Sequence, residues 1–119
     1  MPEIDKAAVY RKAAEIIVRD GKTEGDLVEA PQGVSEPEAL MDPSRPVCAL
    51  GACARAQYEL YGLLPKEPYD YEFKVPRPST LVPAGVYMRK IQYFNDDDHA
   101  TAEDIAVLLK QRAEEVDGG

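Results

Sequence analysis

Pro46-Val-Cys-Ala-Leu-Gly-Ala-Cys-Ala-Arg-Ala-Gln-Tyr-Glu-Leu-Tyr-Gly62 is the most apolar stretch of the chain, and it decides the fold. Its apolar residues recur at helical spacing and cover most sides of the predicted helix, which is typical of a central, buried helix. They form two stripes: Val47, Leu50, Ala54, Tyr58 and Tyr61, and Ala49, Cys53, Ala56 and Leu60. Because a glycine inside a helix costs about 1 kcal/mol relative to alanine, we predict that another backbone approaches Gly51 closely.

Two further helices are predicted on either side of this segment, at residues 4–20 and 102–116. Apolar residues follow a helical period in both, and Gly21 is suited to end the first helix. Thr101 and Asp104 resemble a capping box at the start of the last helix, with Asp in place of the usual Glu or Gln. We expect both helices to pack on the central one in a single domain spanning residues 1–119.

The remaining segments carry weaker signals. Residues 21–45 form a long loop rich in Pro and Gly, with one helical turn predicted at Glu36–Met41. Tyr69–Val75 alternates apolar and polar residues, which predicts an edge strand. Residues 83–94 fit a short helix that ends before Asn95, although a strand is an alternative. The predicted fold class is therefore mainly α, with three principal helices and at most one or two short strands; α+β is the alternative.

Charge and composition exclude several classes of function. The net charge is −8, and residues 95–119 contain eight acidic against two basic side chains. Such a surface repels phosphate backbones, so we expect no nucleic-acid partner. No run of about 18 apolar residues is present, so no membrane segment is predicted. The N-terminus lacks a signal-peptide pattern, and Cys48 and Cys53 point about 140° apart on a helix, which disfavours a disulfide. We therefore expect a cytoplasmic protein.

Three short motifs resemble an uncharacterised family of small proteins from actinobacteria and their phages. They are Val47-Cys-Ala-Leu-Gly-Ala52, Phe94-Asn-Asp96 and Thr101-Ala-Glu-Asp-Ile-Ala-Val-Leu-Leu109, in that order along the chain. The sequence departs from the family pattern at Phe94, where the family has Trp, and at residues 97–99, where it has Pro, Gly and Arg. The family is known only as a domain of unknown function, so the resemblance implies a shared fold and no activity.

Two chemical sites are conceivable from the residue types. Cys48 in a first helical turn, with the single histidine His99 and an orienting Asn95 or Asp96, would match a thiol hydrolase or transferase. The acidic run before His99 would suit a metal, but the calcium-loop template fails because its twelfth position, counted from Asp96, is Val107 where a Glu is required. Burial explains a cysteine flanked by apolar residues more simply. We therefore expect no metal and no cofactor.

A protein-interaction role is the function that we favour from the sequence. Aromatic residues concentrate within residues 61–94, and Tyr is enriched at interfaces because it combines a large apolar area with a polar tip. The predicted interaction residues are Tyr69, Tyr71, Phe73, Tyr93 and Phe94, with Asn95, Asp96, Thr101 and Asp104 as turn and cap residues. The partner would be another protein or a second copy, and the chain would act as an accessory or phage host-modulating protein. An acidic mimic of nucleic acid is disfavoured because the charge is too sparse.

Overall fold

The computed structural model describes residues 3–76 and 88–118, and within them the chain is mainly helical. This confirms the predicted fold class. Its elements are α1 (Lys6–Asp20), α2 (Glu36–Met41), α3 (Ala49–Tyr61), a 3-10 turn (Pro68–Tyr71), β1 (Lys74–Pro76), β2 (Met88–Lys90), α4 (Ile91–Asn95) and α5 (Ala102–Gly118). The two strands form an antiparallel pair, with Val75 opposite Arg89. No helix among the described residues has the length and apolarity that crossing a membrane requires.

Helix α1 occupies the middle of the helical layer. It packs against α3 on one side and along the length of α5 on the other, so α5 meets α1 rather than α3. This corrects the prediction that both terminal helices pack on the central segment. The physical reason is that α1 has two buried stripes instead of one. Its buried residues are Ala7, Val9, Tyr10, Ala13, Ala14, Ile16 and Ile17.

Helix α3 is the most deeply buried element, as its apolar composition predicts, with every residue from Ala49 to Gln57 buried. Its N-terminal turn lies against the backbone of residues 27–28. The N–H of Cys48 donates to the carbonyl oxygen of Leu27 at 3.0 Å. A Cβ added to Gly51 would overlap that same carbonyl oxygen. The predicted close backbone approach at Gly51 is therefore confirmed.

The long segment at residues 21–45 contains helix α2 at the predicted helical turn, capped by the hydroxyl of Ser35. It is fastened to the rest of the fold by Arg55, whose side chain is fully buried in α3. The Arg55 guanidinium donates to the carbonyl oxygens of Ala39, Leu40 and Arg45 at 2.7–2.8 Å. It also forms an ion pair with Asp20 at 2.9 Å. One buried cation thus joins three stretches of chain.

Two predictions of local structure need correction. Residues 69–75 are not one strand, because the Pro68–Tyr71 segment forms a 3-10 turn and only Lys74–Pro76 is extended. The turn places the Tyr71 ring in the core, where its hydroxyl donates to Gln57 Oε1 at 2.6 Å. Of the short helix predicted within residues 83–94, residues 83–87 lie outside the described part of the chain. The remainder divides into strand β2 and helix α4, which includes Asn95.

Candidate functional site

Asn95 joins three segments that are far apart in sequence. Its side chain is fully buried, and its Oδ1 accepts the N–H of Ala49, the first residue of α3, at 2.9 Å. Its Nδ2 donates to the carbonyl oxygen of Thr23 at 2.8 Å and to Asp96 Oδ1 at 3.2 Å. Asp96 Oδ1 also accepts the N–H of Gly25 at 3.1 Å. The end of α4 is thereby tied to the start of α3.

Lys22 reinforces this junction from the other side. Its ammonium donates to the carbonyl oxygens of Asn95 at 2.8 Å and Asp97 at 3.0 Å. Its ion pair is with Glu24, at 3.0 Å. Cations near carbonyl groups at a helix end offset the negative end of the helix dipole. The junction therefore has its polar groups satisfied and holds α4 in one position.

Cys48 is the N-cap residue of α3, and it is buried. Its sulfur accepts the N–H of Gly51 at 3.4 Å. Burial, with a smaller contribution from the nearby Asp96 carboxylate, raises the pKa of the Cys48 thiol to about 11, although the hydrogen bond from the Gly51 N–H lowers it. Burial also raises the pKa of Cys53, which is fully enclosed. Neither thiol is a thiolate at neutral pH, and both are free.

The predicted thiol site of Cys48, His99 and Asn95 is not assembled. Cys48 borders a small cleft of about 30 Å³, together with Leu27, Tyr69 and Asp96. His99 is exposed and lines a separate groove. The Asn95 amide is committed to the start of α3 and to Thr23, so it has no role in orienting an imidazole. These positions give no support to the thiol-hydrolase alternative, because an activated cysteine needs a nearby cation or base and Cys48 lies near the Asp96 carboxylate.

The predicted aromatic surface also separates into two groups. Tyr71 and Phe73 are buried, and Tyr10 meets both rings edge-on with centroids 5.7 and 5.5 Å away. These two rings are core residues, which corrects their assignment to an interaction surface, since a domain without Trp uses its other aromatics to fill the core. Tyr69 and Tyr93 are 52% and 59% exposed. Tyr69 lies at the cleft beside Cys48.

A groove of about 380 Å³ runs between α4, the following loop and the first turns of α5; we call it the α4–α5 groove. It exists because α5 packs along α1 while Asn95 holds α4 against α3, so α4 and α5 do not close upon each other. Seven residues line it: Phe94, Asp97, His99, Ala100, Asp104, Ile105 and Leu108. The helical periodicity of residues 102–116 does not predict that Ile105 and Leu108 line a groove, since periodicity does not distinguish a core face from a groove wall.

The rim of the α4–α5 groove is rigid and acidic. The Asp97 carboxylate accepts the N–H of His99 at 2.9 Å. Thr101 and Asp104 exchange hydrogen bonds at 3.0 and 3.1 Å, the reciprocal pattern of a capping box at the start of α5. Among the described residues, no three His, Cys, Asp or Glu side chains are grouped so that they could hold a metal ion. The arrangement suits non-covalent binding of a group with an apolar surface and a positive charge.

The structure is that of a small, mainly helical protein with a capped central helix and an acidic groove. The chain belongs to a family of unknown function, DUF6197, whose model matches residues 1–115. The resemblance to an uncharacterised family is confirmed at that level. No curated protein and no solved structure matches the chain.

Proposed function

We propose that this protein is a binding module whose α4–α5 groove receives a segment of a partner protein. The observation that carries the proposal is an open groove whose accessible apolar lining is provided by the half-buried residues Phe94, Ala100 and Leu108. Apolar side chains gathered in one groove mark interaction sites more often than scattered exposed residues do.

The groove is preformed, which lowers the cost of binding. Ile105 is fully buried and Leu108 packs against the core, so their positions are set by the fold. The opposite wall is fixed by Asn95, whose hydrogen bonds attach α4 to α3. A rigid site loses little conformational entropy when a partner binds, so more of the contact energy appears as affinity.

A different protein is favoured as partner over a second copy of this chain. The net charge of −8 is concentrated in the part of the chain that forms the groove. Two copies meeting through this surface would bring like charges together, which opposes association. The resemblance to proteins of actinobacteria and their phages supports an accessory or host-modulating role in the cytoplasm as part of this proposal.

Site-specific photocrosslinking tests this proposal. The photoreactive residue p-benzoylphenylalanine replaces Asp97 or His99, which are exposed in the groove lining, and Val18 or Leu60, which are exposed on α1 and α3, serve as controls. In cells of the source organism, we expect one adduct of defined mass from the two groove positions and none from the controls. Equal adducts from all four positions, or none from Asp97 and His99, would refute the proposed site.

A further inference from the structure

We propose that the segment bound in the α4–α5 groove is a positively charged amphipathic peptide, with apolar side chains toward the floor and Lys or Arg toward the rim. This inference rests on the proposed function. Its basis is the charge of the groove lining, which contains the carboxylates of Asp97 and Asp104 and neither Lys nor Arg. Asp98 and Glu103 are chain neighbours of the lining and add further negative charge.

The two lining carboxylates keep their charge available for a partner. Each accepts a hydrogen bond from a backbone N–H, Asp97 from His99 and Asp104 from Thr101. In the described part of the chain, the recorded ion pairs include neither of these carboxylates. Lys22, the cation next to the loop, directs its ammonium to backbone carbonyl oxygens and to Glu24. A cationic partner would therefore find uncompensated negative charge at the rim.

The apolar floor limits which cations fit. A peptide carrying only positive charge would leave Phe94, Ala100 and Leu108 uncovered and gain little from burial. An amphipathic segment covers the floor, and the long stems of its Lys or Arg side chains lie over apolar surface while their charged ends reach the carboxylates. A helix with one apolar face is the common ligand of a groove of this kind. Phosphate-bearing polymers and anionic membranes are disfavoured because the rim repels them.

A peptide titration tests the inference directly. The probe is a fluorescein-labelled helical peptide of Leu and Lys with one apolar face, compared with a Gly–Lys peptide of equal charge and a Leu–Glu peptide of equal apolarity. The groove variant is Asp97→Asn with Asp104→Asn, since Asn keeps the oxygen that accepts the backbone N–H and removes only the charge. The matched control is Glu15→Gln with Glu114→Gln, which changes the net charge equally at the surface between α1 and α5.

We expect the Leu–Lys peptide to bind more tightly than both other peptides, measured by fluorescence anisotropy. The groove variant should weaken this binding about threefold to tenfold, and the control should change it less than about twofold, because exposed charges act mainly on nearby partners. Equal weakening by the control variant, equal binding of the Gly–Lys peptide, or no binding of the Leu–Lys peptide would overturn the inference. A third outcome is that the Leu–Glu peptide binds tightly and that Leu108→Asn abolishes this binding. It would refute the inferred positive charge of the bound peptide and would leave the proposed function of the groove intact.

Discussion

The side-chain oxygen of Asn95 accepts the backbone N–H of Ala49 at 2.9 Å, across a separation of 46 residues. Ala49 is the first residue of α3, and N–H groups at a helix start have no partner within the helix. In this buried position, water does not replace a missing acceptor, so Asn95 has to supply it. The same side chain donates to Thr23 and so also fixes the loop that covers α3. One amide therefore sets the relative positions of α3, α4 and the segment after α1.

Replacing Asn95 with Ala should lower the free energy of unfolding by about 2–4 kcal/mol, because a buried N–H and a buried carbonyl oxygen both lose their partner. Thr101→Ala is the matched control, since it removes an exposed helix cap and should cost about 1 kcal/mol. Urea unfolding followed by circular dichroism measures both. If Asn95→Ala costs no more than the control, the proposed role of Asn95 at the helix junction is wrong.

Asn95→Asp separates the acceptor from the donor at this position. The carboxylate keeps an acceptor for Ala49 N–H but loses the donor to Thr23, and it lies next to the Asp96 carboxylate. Burial and the like charge would raise the pKa of the new carboxyl above its usual value. Its protonated form regains a donor, so the stability deficit relative to wild type should shrink as the pH falls from about 7 to 5. A deficit that stays constant over this range would contradict the predicted contact.

Gly51→Ala should lower the free energy of unfolding by about 3 kcal/mol or more, since the new methyl group would overlap the carbonyl oxygen of Leu27. The sign is informative, because the same substitution in an unobstructed helix stabilises by about 1 kcal/mol. Gly33→Ala provides the control: Gly33 has a φ of +89° with no atom near the added Cβ, so about 1–2 kcal/mol is expected from backbone strain alone. A stabilised Gly51→Ala variant in thermal unfolding would show that the two backbones are not in contact.

The helices follow from the sequence because each requires only local information. The periodicity of residues 4–20, 46–62 and 102–116 predicts α1, α3 and α5. Gly51 predicts a close backbone contact, but it does not identify Leu27 as the residue contacted. Contacts between distant residues were not accessible in this way. Tyr71 follows an alternating pattern typical of a strand, yet the partners of its hydroxyl and carbonyl, on α3 and α1, determine its 3-10 turn.

The candidate site was only partly foreseen for the same reason. An aromatic, an acidic and an imidazole side chain are recognisable as candidate binding groups from residue type alone, which applies to Phe94, Asp97 and His99. By contrast, the helical spacing of Ile105 and Leu108 is that of ordinary core residues. The groove depends on which helix α5 packs against, and periodicity within α5 does not specify its neighbour. Arg55 is a further contact that the sequence does not reveal. A charged residue in an apolar segment gives no sign that three carbonyl oxygens and a carboxylate surround its guanidinium.

Asp20→Asn should lower the free energy of unfolding by about 3–5 kcal/mol, because it leaves the buried Arg55 guanidinium without its counter-ion. Glu59→Gln is the control: it removes the other carboxylate bound to Arg19, at the protein surface, and should cost about 1 kcal/mol or less. Guanidinium chloride would screen both ion pairs, so urea is the appropriate denaturant. Equal losses for the two variants would show that Asp20 is not the critical partner of Arg55.

The Asp20 carboxyl also predicts how the free energy of unfolding depends on pH in the acidic range. Burial by itself would raise the pKa of Asp20, but hydrogen bonds from Arg19, Arg55 and the backbone of Ser44 together hold this pKa below its usual value. A carboxyl with a lowered pKa stabilises the fold above its unfolded pKa of about 3.9, and that contribution is lost as the pH falls through the folded value. We expect the stability difference between wild type and Asp20→Asn to narrow below about pH 4. A difference unchanged at low pH would contradict this assignment.

Cys48 predicts an opposite dependence at alkaline pH. Because burial raises the pKa of its thiol to about 11, the folded protein keeps the proton while the unfolded chain loses it near the usual thiol pKa of about 8.5. The resulting stabilisation is complete below the unfolded pKa and is lost as the pH rises through the folded pKa. The free energy of unfolding should therefore fall by about 1–2 kcal/mol between roughly pH 7 and 10 from this thiol alone. Urea unfolding of wild type and Cys48→Ala across this range isolates the contribution, since other titrating groups are common to both.

Iodoacetamide should label native Cys48 only as fast as the protein opens. Rapid alkylation at neutral pH would require an exposed thiolate, and it would restore the thiol-enzyme alternative that the burial of Cys48 now argues against.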